Sequence, residues 1–145
     1  MALDSITTKP VMTEELAAAA LGAARRKAAE AGTPMVIAVV DAAGALEAFV
    51  RMDGTPGGAI EWTLNKAITS ASFAAPTQAI AELAETSSTL LASMIKLQNV
   101  TLTPGGYPLM LEGTLVGAIA AGGGTPDQDQ AVAEAGAAVL QVAQA

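Results

Sequence analysis

A chain of 145 residues, 52% of them hydrophobic, is long enough for one domain with a single core, placed here at 1–145 with 1–12 as an extended N-terminal segment. Seven basic and fourteen acidic residues give a net charge of −7, which argues against nucleic acid or an anionic membrane as the main partner. The chain has neither cysteine nor histidine, which excludes serine-histidine triads, cysteine proteases and most zinc enzymes, so no metal site is expected.

The N-terminal region predicts one helix and no export signal. Its first ten residues lack the basic region and apolar core of a signal peptide, and no apolar run reaches the roughly 20 residues of a membrane helix, so we expect a cytoplasmic protein. Thr13 followed by Glu14 and Glu15 is typical of a helix start. The helix is expected to reach about Ala31, where Gly32 closes it.

The segment Met35–Gly54 predicts two strands joined by a tight turn. Met35–Val40 is an unbroken apolar run rich in β-branched residues, and Asp41–Gly44 supplies turn chemistry. The following residues alternate between apolar and polar up to Arg51, as in a strand that is fully covered on one side only. Arg51 and Asp53 therefore lie where a rigid element ends, a common place for site residues.

Two or three helices are predicted next. One runs from Ala59 to about Ala75, and one starts at Thr77 with a weak middle, Glu85–Thr89, that can break it in two. The expected core face of the first of these helices is Ile60, Leu64, Ala67, Ile68 and Ala71. A second stripe on that helix is Trp62, Lys66, Thr69 and Phe73.

The C-terminal part predicts a second hairpin and a last helix. The hairpin consists of Leu109–Leu111 and Thr114–Ala121, and Asn99–Leu102 precedes it as a short strand. Thr125 followed three residues later by Gln128 is a capping-box pattern, which starts the last helix.

Lys66 is the first candidate site residue. Because it shares a stripe with Trp62 and Phe73, its ammonium group can be partly desolvated and act as an anion anchor, a base or an amine nucleophile. In the structural alternative, its stem packs on the aromatic rings while the charge reaches solvent or pairs with a carboxylate.

Arg51, Asp53 and Glu61 form the second candidate group. Arg51 and Asp53 lie two residues apart and share a strand face, so they can clamp a carboxylate and relay a proton, or pair with each other. Glu61 can join them, or simply favour the dipole at the start of its helix.

Two glycine loops form the third candidate group. Gly105 and Gly106, and likewise Gly122–Gly124, can present backbone N–H groups to an anion, or can serve close packing of a hairpin against a helix. Neither loop has the glycine spacing of a P-loop or of the dinucleotide fingerprint.

Three segments together resemble a known family. VVDAAGALEAFVRMDG, NKAITSASFAAPT and GGYPLMLEGTLVGAIAAGGGTPDQDQAVAEAG, in this order, are similar to the GlcG/HbpS-like haem-binding family, which also occurs as the C-terminal domain of PduO-type proteins. The resemblance covers Thr13 to Ala143. It implies an α/β (α+β) domain of profilin-like type, an antiparallel sheet of about five strands flanked by helices, assembled into homo-oligomers.

The resemblance also implies a set of motif positions and a cofactor. The matching positions are Arg51, Asp53, Lys66, Gly105, Gly106, Pro108 and the segment Gly122 to Asp129. Haem is the cofactor that the family suggests, but haem binding there is ascribed to histidine, which this chain lacks. The other side chains that could ligate the iron are Tyr107, Met12, Met35 and Met52. We expect that none of them does, so that haem would bind without an axial ligand.

Three functions remain open at this point. The first is a small-molecule-binding protein for an anionic ligand, either tetrapyrrole-like or a small carboxylic acid, with ligand contacts from Arg51, Lys66, Gly105, Gly106, Tyr107, Gly123 and Gly124. The second is a cofactor-free isomerase or lyase for a carboxylate or hydroxy acid, with Asp53, Glu61 and Lys66 as catalytic groups. The third is an accessory or scaffold protein whose alanine-rich first and last helices form a subunit interface.

Overall fold

The computed structural model describes residues 5–143 and contains five helices and four strands in that range. In chain order they are α1 (Glu14–Glu30), β1 (Val36–Asp41), β2 (Leu46–Arg51), α2 (Ala59–Phe73), α3 (Thr77–Glu85), α4 (Ser88–Met94), β3 (Gly106–Leu111), β4 (Thr114–Gly122) and α5 (Pro126–Ala143). None of the helices in the described range is both long and apolar enough to cross a bilayer.

The helix starts follow the capping residues of the sequence. The Thr13 hydroxyl accepts a hydrogen bond of 3.2 Å from the Leu16 N–H and starts α1. Thr125 and Gln128 exchange hydrogen bonds of 2.9 and 3.3 Å, which is the predicted capping box before α5. The weak middle of the third predicted helix is a break, because Ser87 there caps the separate helix α4.

The two hairpins close through the predicted turn residues. One carboxylate oxygen of Asp41 accepts hydrogen bonds of 2.9 Å from the N–H groups of Ala43 and Ala45, which fixes the β1–β2 turn. In the β3–β4 turn, Glu112 and Gly113 both have positive φ angles, 48° and 80°, as two-residue hairpin loops require.

The sheet is antiparallel throughout, with strand order β2-β1-β4-β3. The α+β fold is therefore confirmed, but the described chain has four strands rather than about five. The predicted strand Asn99–Leu102 does not form. Instead, the Thr101 N–H donates a 3.0 Å hydrogen bond to the hydroxyl of Thr69, so this segment lies against α2 and its backbone is satisfied there.

Helices cover both faces of the sheet. On one face, α1 and α5 pack on Ile37 and Val39 of β1, and on the other face α2 packs on Ala118 and Ala120 of β4. The alanines that suggested a subunit interface lie largely inside the chain, since small side chains let α1 and α5 approach closely. These alanines are Ala17, Ala20, Ala24 and Ala28 of α1 with Ala133 and Ala137 of α5.

The predicted core face of α2 is wrong in part. Ile60, Leu64 and Ile68 are only half-buried. The fully buried positions are Thr63, Lys66, Ala67, Thr69, Ser70 and Ala71. The strand beneath this helix carries only small residues on the facing side, so the helix lies too close for large side chains, and the buried hydroxyls bond to nearby backbone carbonyls.

β3 approaches α2 closely at Gly106, where no space is left for a side chain. A Cβ atom on Gly106 would lie 2.5 Å from the Lys66 carbonyl oxygen and 2.7 Å from Cγ2 of Thr77. Gly106→Ala is therefore expected to lower the free energy of unfolding by about 1–3 kcal/mol, as measured by urea denaturation.

Gly58→Ala is the matched control for this substitution. Gly58 has a φ of −61°, and a Cβ atom there would meet nothing within 4 Å, so a change of no more than about 0.5 kcal/mol is expected. Equal losses in the two variants would contradict the close approach.

Candidate ligand-binding site

A pocket of about 360 Å³ opens at one end of the sheet. At this end β1 and β3 begin, β2 and β4 end, and α2 and α5 start. Glycines and prolines form most of the pocket wall, while Trp62, Lys66, Thr103 and Asp129 contribute the larger and polar side chains. The antiparallel register thus collects two helix N-termini and two glycine loops around one cavity.

A buried ion pair forms the floor of this pocket. Lys66 Nζ lies 2.7 Å from Oδ2 of Asp129, and both residues are only 4% exposed. Lys66 Nζ also donates a 3.1 Å hydrogen bond to the carbonyl oxygen of Ala121 at the end of β4. Of the two structural alternatives for Lys66, the carboxylate pairing is therefore the one that the chain adopts.

The ammonium group of Lys66 has a third hydrogen-bonding position. A lysine ammonium has three N–H bonds, and Asp129 and Ala121 accept two of them. No third acceptor is found among the described residues, and Lys66 lines the pocket, so a ligand inside it is a candidate acceptor for the third N–H. A buried charged donor with an unused position is a strong recognition element, since hydrogen bonds to charged groups are worth about 1.5–3 kcal/mol.

The position of Asp129 follows from the start of α5. Its backbone N–H donates to the Thr125 carbonyl at 2.9 Å in the first turn, and its Oδ1 accepts a 2.9 Å hydrogen bond from the Gly124 N–H. The carboxylate also benefits from the positive end of the helix dipole. The capping box therefore holds Asp129 in place for the ion pair with Lys66.

The candidate glycines have two different positions. Gly123 and Gly124 line the pocket, whereas Gly105 and Gly106 pack behind its floor. A Cβ atom on Gly105 would lie 2.8 Å from Lys66 Nζ and 2.9 Å from Cβ of Asp129, and the residue has a φ of +120°. Glycine is required at position 105 both for its conformation and for the space that the ion pair occupies.

Trp62 forms an exposed wall of the pocket. Its side chain is 55% exposed, and its indole N–H donates a 2.8 Å hydrogen bond to the hydroxyl of Thr103. This bond spans the gap between α2 and the segment that leads to β3. An aromatic face held in one orientation next to a buried lysine suits a planar ligand.

Arg51 and Asp53 line a second depression, of about 430 Å³, together with Arg25 and Met52. Arg51 forms no ion pair with Asp53 or with any other residue in the range 5–143 that the structure describes. The depression shares no lining residue with the pocket of Lys66. The two arginines beside it, Arg25 and Arg51, are exposed.

Arg51 nevertheless lies at the same end of the sheet as the pocket. It pairs with Val36 across the sheet, and Val36 pairs on its other side with Gly122 of the pocket, so two strand spacings, about 10 Å, separate Arg51 from Gly122. One nitrogen of its guanidinium lies 3.4 Å from where a Cβ atom of Gly57 would be. The guanidinium therefore lies against the loop before α2, whose residues Pro56 and Gly58 form the pocket rim.

Glu61 and Tyr107 lie apart from the pocket. Glu61 is exposed and lines a shallow depression beside Asn65 and Thr101. Tyr107 is half-buried on β3 and packs against the hydrophobic core on the α1–α5 side. The sequence pattern does not single out Asp129 or Thr103, because their roles depend on contacts with α2 that are distant in the sequence.

Comparisons with known proteins agree with this fold. A family model described as haem degrading protein HbpS-like matches residues 12–138. An uncharacterised 15.0 kDa protein from the dhaT-dhaS intergenic region of Citrobacter freundii is 30% identical over 130 residues, covering 84% of this chain and 92% of that protein.

Two crystal structures are also similar. The Klebsiella pneumoniae protein ORFY has a TM-score of 0.89 at 25% identity, and the match covers 97% of this chain and 98% of ORFY. The PduOC:heme complex has a TM-score of 0.83 at 25% identity, covering 89% of this chain and 94% of PduOC.

The ion pair predicts a specific pattern of stability. Asp129→Asn leaves the Lys66 charge buried without its counter-charge, so a loss of about 3–5 kcal/mol in the free energy of unfolding is expected from urea denaturation. The double variant Lys66→Met, Asp129→Leu removes both charges and should recover most of that loss.

Lys27→Met is the control for loss of a positive charge, because Lys27 is exposed on α1. It should change stability by no more than about 0.5 kcal/mol. If the double variant is at least as unstable as Asp129→Asn, the two side chains do not stabilise the fold as a pair.

Proposed function

Because the chain belongs to the HbpS-like family, we propose that its pocket binds a planar ligand carrying at least one carboxylate, with an oxygen atom of the ligand on Lys66. The observation that carries the proposal is the third hydrogen-bonding position of Lys66 Nζ. It belongs to a residue that is only 4% exposed yet lines the pocket. A donor in this position has a ligand or water as its natural acceptor.

The surroundings of Lys66 favour an anion. Asp129 offsets the charge of Lys66, so Lys66 contributes a directed hydrogen bond more than a net attraction. The start of α2 supplies attraction for an anion. Gly58 at this N-terminus offers no side-chain cap, and the positive end of the helix dipole opens at the pocket. Trp62 and the prolines of the rim then cover the apolar faces of a planar molecule.

Arg51 extends the proposal to ligands with two anionic groups. Its guanidinium is unpaired among the described residues and lies against the loop before α2. A ligand with one oxygen on Lys66 and a second anionic group at its other end can extend towards this guanidinium along the loop before α2.

Haem is the ligand that the relative PduOC suggests, since its structure is a haem complex. The side chains that line this pocket do not fit iron ligation: in the described chain they include no histidine, cysteine, methionine or tyrosine. The pocket volume of about 360 Å³ is at the small end of the usual ligand pockets of roughly 300–1,000 Å³. A porphyrin is therefore expected to bind through a carboxylate and one edge of the ring, without axial ligation.

This proposal predicts that iron makes no difference to porphyrin binding. Ferric haem and metal-free protoporphyrin IX should bind with similar affinity in fluorescence-quenching and absorbance titrations, and benzoate should compete with both. The double variant Lys66→Met, Asp129→Leu should bind at least about tenfold more weakly, because it loses a hydrogen bond to a charged group. Trp62→Leu should weaken binding as well, since it removes the aromatic wall.

Lys27→Met is again the control and should bind as the parent chain does. A haem spectrum with axial ligation that disappears in Met52→Leu would locate the ligand in the second depression instead, and would contradict the proposal. Unchanged affinity in the Lys66, Asp129 double variant would contradict it too.

We further propose that copies of this chain associate. Large apolar side chains are exposed around α3 and α4, beside an apolar groove of about 550 Å³, and association would remove them from water. These side chains are Phe73, Leu83, Leu91, Ile95 and Leu97. Light scattering after size exclusion should give a mass above that of one chain, and Ile95→Asp should lower it; a monomer at all concentrations would contradict the proposal.

A further inference from the structure

We propose that Lys66 forms a reversible iminium bond with an aldehyde or ketone group on a carboxylate-bearing ligand. This inference rests on the proposed function, because it concerns the same pocket and the same ligand class. It goes beyond binding, since it makes Lys66 Nζ a nucleophile.

The geometry around Lys66 Nζ has the arrangement that this reaction needs. The proton that leaves lies between Nζ and Oδ2 of Asp129, so the lone pair of the neutral amine first faces Asp129, and one of its two N–H bonds faces the Ala121 carbonyl. Rotation about the Cε–Nζ bond to the next staggered position turns the lone pair away from Asp129, and Lys66 lines the pocket. The amine can then reach a ligand carbon atom while Asp129 and Ala121 remain its neighbours.

Asp129 is the group that can take the proton from Lys66. Its Oδ2 lies 2.7 Å from Nζ, and its other oxygen is held by the Gly124 N–H. The proton can therefore move within the pair without a water molecule between the two groups. Lys66 is in this respect unlike Lys9, Lys27 and Lys96, which are all exposed and form no ion pair with any residue in the described range 5–143.

The reaction balances without any other reactant. The Lys66 ammonium gives one proton to Asp129, its lone pair forms a bond to the carbonyl carbon, and the carbonyl π electrons move to oxygen. That oxygen takes the proton from Asp129 and gives a carbinolamine. A second proton moves from nitrogen to this hydroxyl through Asp129, and water leaves as the C=N bond forms. One ammonium and one carbonyl compound thus become one iminium and one water molecule.

The rest of the pocket orients a carbonyl ligand. With the carbonyl carbon at Lys66, a carboxylate at the far end lies towards the start of α2 and the guanidinium of Arg51. Trp62 lies beside the plane of the ligand. An iminium in this position withdraws electrons from the neighbouring C–H or C–C bond, which is the first requirement for isomerisation or bond cleavage next to a carbonyl.

The test is reductive trapping with 4-formylbenzoate, a planar aldehyde with a carboxylate. The full-length chain is incubated with this compound and cyanoborohydride at neutral pH, and the modified lysines are mapped by peptide mass spectrometry. Lys66, the least exposed lysine, is expected to be modified at least about tenfold faster than Lys9, Lys27 or Lys96. 4-(Hydroxymethyl)benzoate, which has no carbonyl, should protect Lys66 and leave the exposed lysines unprotected.

The outcomes separate this inference from the proposed function. If 4-(hydroxymethyl)benzoate stabilises the chain against heat, and 4-formylbenzoate modifies lysines only in order of their exposure, the iminium is refuted while binding stands. If neither compound stabilises the chain and Lys66 is unmodified, both proposals fail. Lys66→Arg has no primary amine at this position, so label that persists at peptide 66 in this variant would be non-specific and would refute the assignment.

Discussion

The buried ion pair between Lys66 and Asp129 is the constraint on which the rest of the pocket depends. Removing two charges from water is unfavourable, and this fold offsets the penalty with a short contact between them and with backbone partners for each. These partners come from the end of β4 and from the loop before α5. The pair therefore joins the sheet and the helices on its two faces at one point, and the pocket exists only where all of them meet.

Small residues make this meeting point possible. Glycine at 105, 106 and 122 brings backbone so close to Lys66, Thr63 and Asp129 that larger residues would collide. Close approach also explains the alanines of α1 and α5, which let these two helices share one face of the four-stranded sheet. The site and the core thus both depend on close backbone approach, which is consistent with a chain so rich in alanine and glycine.

Local chemistry determined how far the sequence could be interpreted. Caps and turns depend on residues three or four apart, so Thr13, Asp41 and the Thr125–Gln128 box could be predicted correctly. The buried face of α2 could not, because it is set by small residues of β4 that are distant in sequence. The partner of Lys66 lies 63 positions away, and no spacing rule points to it. Family likeness identified the segment that contains Asp129, but only three-dimensional contact gives this residue its role.

The long separation between the two members of the ion pair has a consequence for synthesis of the protein on the ribosome. Lys66 emerges well before β4 and α5, so for much of translation its helix lacks both the strand β4 and its counter-charge. The first hairpin and α2 cannot close a core on their own, and docking of the last helix completes the domain. A nascent or truncated chain that lacks α5 would therefore expose an unpaired lysine on a helix face that is buried in the folded protein. Chaperones and proteases can distinguish such a chain from the folded protein.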